Sequence, residues 1–285
     1  MTDAPPFLAP QLQVEDLRVR FRTPHRIVDA VRGVSFEVGQ EKIGIVGESG
    51  SGKSTVGRAI LKLTPPNAMV TARRLQFQEF DIAAASERDM LKLRGRRISM
   101  IMQDPKYALD PVMRVGEQIG EAIPRDLRIS ASERRDRVLA MLEAVHIRNP
   151  KRVYDLYPHE VSGGMGQRIM IAMMLLPEPA LLIADEPTSA LDVTVRMHVL
   201  AILDDLVTRL GLGLIFISHD LNLVTGFCDR VLIMYAGRVV EECKASELAQ
   251  ARHPYTRGLL ASLPRIDERR ETLSVLTRDP AWLAE

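Results

Sequence analysis

The chain has 285 residues, with 38 Lys and Arg against 37 Asp and Glu, for a net charge of +1. That length suffices for one large or two ordinary buried cores, and the balanced charge excludes a strong global field toward nucleic acid or an acidic surface. The only cysteines, Cys228 and Cys243, have no C-x-x-C or other metal-ligand spacing, which excludes a disulfide scaffold and fits a reducing compartment.

Residues 1–10 read as a disordered tail without the basic and apolar blocks of a signal peptide. Leu12, Val14, Leu17, Val19 and Phe21 alternate as in a strand with one slip, Thr23 to Arg26 is turn chemistry, and Val34, Phe36 and Val38 mark a second strand. The two predict a small antiparallel layer. Lys42 to Val46 reads as a buried strand, and Val56, Ile60 and Leu63 fall at helical spacing. Between strand and helix lie Gly47, Glu48, Ser49, Gly50, Ser51, Gly52, Lys53, Ser54 and Thr55, which match G-x-x-x-x-G-K-[ST] in its required context. Glycines there let backbone N–H groups turn inward around phosphate oxygens, and the helix N-terminus adds unpaired donors. Lys53 is placed to reach the β- and γ-phosphates of a nucleoside triphosphate, and the Ser54 hydroxyl to coordinate Mg²⁺.

Thr64-Pro65-Pro66-Asn67 breaks the chain. Ser86 caps a predicted helix running toward Arg94, and Ile98 to Met102 reads as a core strand ending at Gln103-Asp104-Pro105. Ser130 and Glu133 form an S-x-x-E capping box, with Val138, Leu142 and Val145 continuing that helix on one face. Nothing from 103 to 165 is strand-rich, which predicts a helical insertion over about 104–175. Ala180 to Ala184 is another buried strand, followed by Asp185-Glu186. Val195, Val199, Ile202 and Leu206 make a helix that ends at Gly211-Leu212-Gly213. Leu214 to Ile217 is a third core strand, running into Ser218-His219, and residues 231–241 suggest a closing hairpin. The longest apolar run, Ile169 to Leu176, falls well short of the ~20 residues that span a bilayer.

Strands alternating with helices predict an α/β fold with a mainly parallel sheet, whose ligands sit beyond the C-terminal strand ends. Gly47, Gln103, Asp185 and His219 each follow a predicted strand. Asp185 is placed to hold Mg²⁺, and Glu186 to orient and polarise a water for in-line attack on the γ-phosphate. His219 is a candidate contact to that phosphate, and Gln103 to Mg²⁺ or the water. Ser162-Gly163-Gly164 opens a further predicted helix and is either a second phosphate-type cradle or a plain helix cap. One nucleotide does not obviously need two cradles.

Taken together, GESGSGKST, the Gln103 loop, VSGGMGQR at 161–168, LLIADEP at 181–187, SALD at 189–192 and His219 resemble the ATPase subunits of ABC transporters. The resemblance covers roughly residues 11 to 265. It implies a P-loop NTPase fold of RecA-like type with an antiparallel layer, an ABC ATPase domain over 11–244 and a C-terminal extension over 245–285. It also implies two ATPase subunits facing head to tail, each ATP held by one subunit's phosphate loop and the other's Ser162-Gly163-Gly164 helix. Asp192 is then a contact across that interface, and Phe21, core material by its place in a strand, stacks on adenine.

Tyr157 to Glu160, QDP at 103–105 and His253-Pro254-Tyr255-Thr256 are similar to importers of dipeptides, oligopeptides, nickel and opine-like compounds. Gly166 stands where those proteins usually carry Arg, residues 106–111 replace a more Ser- and Asn-rich segment, and no C-terminal cysteine cluster occurs, so no iron–sulfur centre is expected. The partners implied are a second ATPase, a paralogue rather than a second copy, two transmembrane permeases and, indirectly, an extracytoplasmic solute-binding protein. The implied location is peripheral, on the cytoplasmic face of the inner membrane. A soluble ABC-type ATPase of translation or DNA repair is the rival. A single phosphate loop and the lack of sustained heptads weigh against it.

Overall fold

The computed structural model describes residues 10–124, 126–189, 191–263 and 282. The tail expected over 1–10 (save its last residue) lies outside the described residues, as do Ile266, Leu273, Val275 and Leu276, which together with Trp282 are expected from the sequence to cover a groove or dock on a partner. Strand β1 (Leu12–Arg22) buries Leu12 and Val14, then Leu17 and Val19. The slip in the alternation falls at Asp16, whose backbone takes φ 51°, outside the extended region, so the phase of the buried side chains resets there. Ser35 Oγ accepts the Asp16 N–H at 2.9 Å, and Arg18 Nε donates to its carboxylate at 3.0 Å, holding the Asp16 carboxyl below its usual range. The predicted turn closes with Thr23 N–H donating to Arg26 O at 3.0 Å and leads into β2 (Ile27–Val38).

Strand β3 (Lys42–Val46) precedes the glycine-rich loop and α1 (Lys53–Ile60). Leu63 is not on that helix. Lys62 has already left helical geometry at φ 50°, two prolines follow, and Leu63 is 47% exposed. Three strands absent from the sequence reading come next: β4 (Ala68–Thr71), β5 (Arg74–Phe77) and β6 (Phe80–Asp81). None is long enough to display a period. The antiparallel layer therefore has five strands in the order β2-β1-β5-β6, with β4 also paired to β1.

Helix α2 (Glu87–Leu93) begins under Ser86, whose hydroxyl accepts the Asp89 N–H at 3.3 Å. Strand β7 (Ile98–Ile101) stops one residue early, with Met102 outside it and 42% exposed. The insertion follows as α3 (Pro105–Ala108), α4 (Val115–Glu121), α5 (Ala131–Ala144), α6 (Pro150–Tyr154) and α7 (Gly163–Leu175). Ser130 caps α5 through the Glu133 N–H at 3.1 Å, whereas the Glu133 carboxylate pairs with Arg137 one turn on at 2.8 Å. After β8 (Leu181–Asp185) and α8 (Val193–Leu210) the chain turns at Gly211 and continues as β9 (Gly213–Ser218), α9 (Leu221–Phe227), β10 (Arg230–Tyr235), β11 (Arg238–Lys244) and α10 (Pro254–Ser262).

Two compact units result, one built chiefly on Ala84–Ile215 and the other on Leu12–Glu37, Glu41–Ala83 and the residues from Phe216 onward. In the first, β7 and β8 run parallel with Ile98 opposite Leu181 and Ile101 opposite Ala184. Ile169, Ala172 and Leu175 of α7 and Val138 and Leu142 of α5 are fully buried in its core. In the second, β10 pairs in parallel with β3 and antiparallel with β11. Each fully buried aliphatic side chain contributes about 1.5–3 kcal/mol relative to exposure, which is why the strand interiors carry Val, Ile and Leu almost without interruption. Cys228 lies in the second core, where burial, aided by the Asp229 charge, pushes its thiol up to about 12.

Candidate functional site

The second unit carries the glycine-rich loop. It leaves β3 at Val46 and re-enters regular structure at Lys53, with Gly52 at φ 99° as the residue before α1. A Cβ on Gly52 would stand 2.4 Å from Ala30 O, and one on Gly47 2.1 Å from Met234 O, so the neighbouring backbone itself demands glycine at both. The Lys53 ammonium is buried and donates to Gly47 O and Glu48 O, both at 2.8 Å, curling the loop around it. Ser51 Oγ is buried with no hydrogen-bond partner, while Gly237 N–H secures the Ser51 carbonyl at 3.0 Å. A buried cation and an orphaned hydroxyl, in a loop where Gly47 and Gly52 leave no room for a Cβ, suit a phosphate group. Ser49, Gly50, Ser54 and Thr55 complete this stretch, Gly50 at φ 83°.

Two further expected residues lie in this unit. His219 is exposed just past the end of β9, between Ser218, whose hydroxyl accepts the Asp220 N–H at 3.0 Å, and Asp220, which caps α9 through Leu223 N–H at 3.1 Å. Phe21 sits near the end of β1 opposite Ala68 and is only half-buried, so it is not a core aromatic.

The first unit holds Gln103, Asp185, Glu186, Ser162 to Gly164 and Asp192. The parallel pairing of β7 and β8 brings the ends of both strands together, and Gln103 Nε2 donates to Glu186 Oε2 at 3.1 Å. Asp185 ends β8 and is 3% exposed, so any charge it carries lies in the interior. Glu186 adopts φ 48°, a left-handed conformation costing a non-glycine residue about 1–2 kcal/mol. Its carbonyl accepts from Ser189 N–H at 3.3 Å and Ser189 Oγ at 3.2 Å, which hold the strained residue in place.

Ser162 caps α7, its hydroxyl accepting the Met165 N–H at 3.3 Å, and Asp192 caps α8 through Val195 N–H at 2.9 Å. The cap is therefore real, but it does not account for both glycines that follow. A Cβ on Gly164 would meet Val195 Cγ1 at 2.8 Å, so α8 requires that glycine; one on Gly163 would meet nothing within 4 Å among the described residues beyond its own helix. Gly166, in place of the expected Arg, is buried beside Pro105.

The family description "ABC transporter" matches residues 31–189. Among curated proteins the chain is 46% identical to the probable peptide ABC transporter ATP-binding protein y4tR of Sinorhizobium fredii, covering 94% of this chain and 81% of that protein. The chain belongs to the ABC transporter family. Another member, the oligopeptide transport ATP-binding protein OppD of Escherichia coli, is 44% identical over 94% of this chain and 80% of its own. A solved dimeric ATP-binding cassette in a post-hydrolysis state, bound to ADP and Pi, matches with a TM-score of 0.73 at 26% identity, covering 82% of this chain and 98% of that one. The fold is thus that of an ABC ATPase cassette, and the soluble translation or repair alternative is not favoured.

One contact to the loop escaped the sequence reading. Tyr255, noted there only within the His253-Pro254-Tyr255-Thr256 stretch, is fully buried, and its hydroxyl accepts the Glu48 N–H of the loop at 3.1 Å. The motif was visible, but not the 207-residue closure that gives it a role.

Proposed function

We propose that this chain is the ATP-binding and ATP-hydrolysing subunit of an ABC importer for peptides or a related small solute. The observation that carries the reading is the pair of separate phosphate-type cradles, one of which keeps a glycine, Gly163, that no packing neighbour among the described residues demands. A glycine with open space above it at a helix N-terminus suits close approach by something outside the chain. That supports a head-to-tail pair, in which Ser162, Gly163, Gly164 and Asp192 of one subunit complete the other's nucleotide site.

In this reading Gly47 to Thr55 wrap the phosphates, Phe21 stacks on adenine, and Lys53 exchanges its carbonyl partners for β- and γ-phosphate oxygens. Ser54, Gln103 and Asp185 would hold Mg²⁺, which when bound would screen the phosphate charges. Among the described residues no three His, Cys, Asp or Glu side chains form a metal site by themselves. Glu186 accepts the proton of the attacking water after Gln103 releases it, and His219 contacts the γ-phosphate. ATP closes the pair only to the extent that it binds the closed state more tightly, and hydrolysis reopens it.

Importer identity draws support from the relatives named for peptide transport. No helix among the described residues is long and apolar enough to cross a membrane. In this reading permease subunits hold the chain at the membrane, peripheral on the cytoplasmic face of the inner membrane. A paralogous ATPase is the expected partner, residues 11–244 forming the ATPase domain and 245–285 its extension. Mixed pairs test the reading directly. A Ser162 variant on one subunit should disable the nucleotide site built on the other subunit's phosphate loop. Loss confined to the variant's own loop, or full ATP turnover by a strictly monomeric chain, would overturn it. Uptake of labelled peptides by vesicles containing the whole transporter tests the substrate class.

A further inference from the structure

We infer that Tyr255 is a positioning residue for ATP binding, acting on the phosphate-loop lysine through a single peptide plane. The inference rests on the reading of Gly47 to Thr55 as the ATP loop. The peptide unit joining Gly47 to Glu48 is held from both ends. Its carbonyl, Gly47 O, accepts from Lys53 Nζ at 2.8 Å, and its N–H, on Glu48, donates to the Tyr255 hydroxyl at 3.1 Å. A peptide group is rigid and planar, so fixing the N–H direction fixes the carbonyl direction. The hydroxyl on α10 thereby sets where the Lys53 ammonium rests before phosphate arrives.

The surroundings of Tyr255 show that it is built for this placement. His253 Nδ1 accepts the Tyr255 N–H at 3.1 Å as the cap of α10, and Pro254 opens the helix. The Tyr255 ring lies 4.4 Å from that of Tyr235, at the end of β10, and 5.9 Å from Trp282. Glu241 Oε1 accepts the N–H groups of Arg252 at 2.6 Å and His253 at 3.4 Å, anchoring the start of the helix to β11. The His-Pro-Tyr-Thr stretch is therefore a cap, a helix start and a buried phenol aimed at the phosphate loop. Pre-setting the loop lowers the ordering cost of binding, and losing one directing hydrogen bond is worth about tenfold in affinity.

The test measures ATP affinity of the purified full-length chain by competition against a fluorescent ATP analogue, together with thermal midpoints without nucleotide. Tyr255→Phe, which removes only the hydroxyl, should weaken ATP binding about tenfold while melting within about 5 °C of the parent. Thr256→Val, altering the neighbouring buried hydroxyl that has no hydrogen-bond partner, should leave affinity unchanged. Tyr255→Ala should lose both affinity and melting temperature. If Tyr255→Phe recovers the melting temperature of the parent and also its full ATP affinity, the ring matters only for packing and the proposal fails. Lys53→Ala separates the two levels: unchanged ATP affinity there would remove the phosphate-loop reading itself, whereas loss there with a normal Tyr255→Phe removes only this proposal. Amide hydrogen exchange at Glu48 gives a second readout that needs no variant to fold, since an unprotected Glu48 N–H in the parent chain would also overturn it.

Discussion

Gly163→Ala separates the fold's own needs from those of a partner's nucleotide. Beyond its own helix, the new methyl meets no atom of the described residues within 4 Å, and Gly163 is the first residue of α7, where φ is helical. Replacing glycine by alanine at a compatible position restricts the unfolded chain and favours the folded one by about 0.4–1 kcal/mol. The isolated chain should therefore melt at the parent temperature or up to about 2–4 °C higher. Catalysis should move the other way. A methyl at the mouth of the α7 N-terminus keeps a partner's phosphate from one or two backbone donors, and hydrogen bonds to a charged group contribute about 1.5–3 kcal/mol each. That corresponds to roughly 10- to 150-fold for the loss of one bond. Calorimetry on the chain and phosphate release from the reconstituted ATPase pair would measure the two halves. A variant that melts no lower yet hydrolyses ATP at the parent rate would refute the trans cradle, and one that melts much lower would refute the open space above Gly163.

Glu186→Gln keeps the side-chain shape, the left-handed backbone and an acceptor for Gln103, so its melting temperature should stay put while turnover falls about 10²–10⁴-fold and ATP binding persists. Single-turnover and binding assays distinguish this from a folding defect. Gly166→Ala places a methyl 3.7 Å from Pro105, an ordinary contact inside a helix, and should stabilise the chain by about 0.5–1 kcal/mol in a denaturant titration. Because the folded Cys228 thiol is raised to about 12 from 9.0, the folded state keeps its proton where the unfolded state has lost it. Its contribution to stability is complete below about pH 9 and declines as pH rises toward 12. Alkylation at neutral pH should accordingly label Cys228 slowly in the native chain and rapidly in denaturant.

The sequence alone determined what local chemistry determines. The loop match, the acid pair after an apolar strand and the serine–glycine helix start are each defined by a few adjacent residues, and each lies at the strand end or helix start read for it. The long buried strands were legible for the same reason, since an unbroken run of Val, Ile and Leu leaves little choice of environment. Even the slip in β1 was visible as a broken alternation, although only the positive φ of Asp16 located the residue that causes it. Tertiary structure decided the remainder. Strands β4 to β6 exist because a longer neighbour, β1 for two of them, supplies partners that fragments of two to four residues cannot provide by themselves. Which glycine serves the fold and which is spare depended on Val195 and on empty space, neither of which has a signature at positions 163 and 164. Tyr255 became meaningful only when the chain folded back on itself, because a hydrogen bond is a matter of direction in space and sequence records only order.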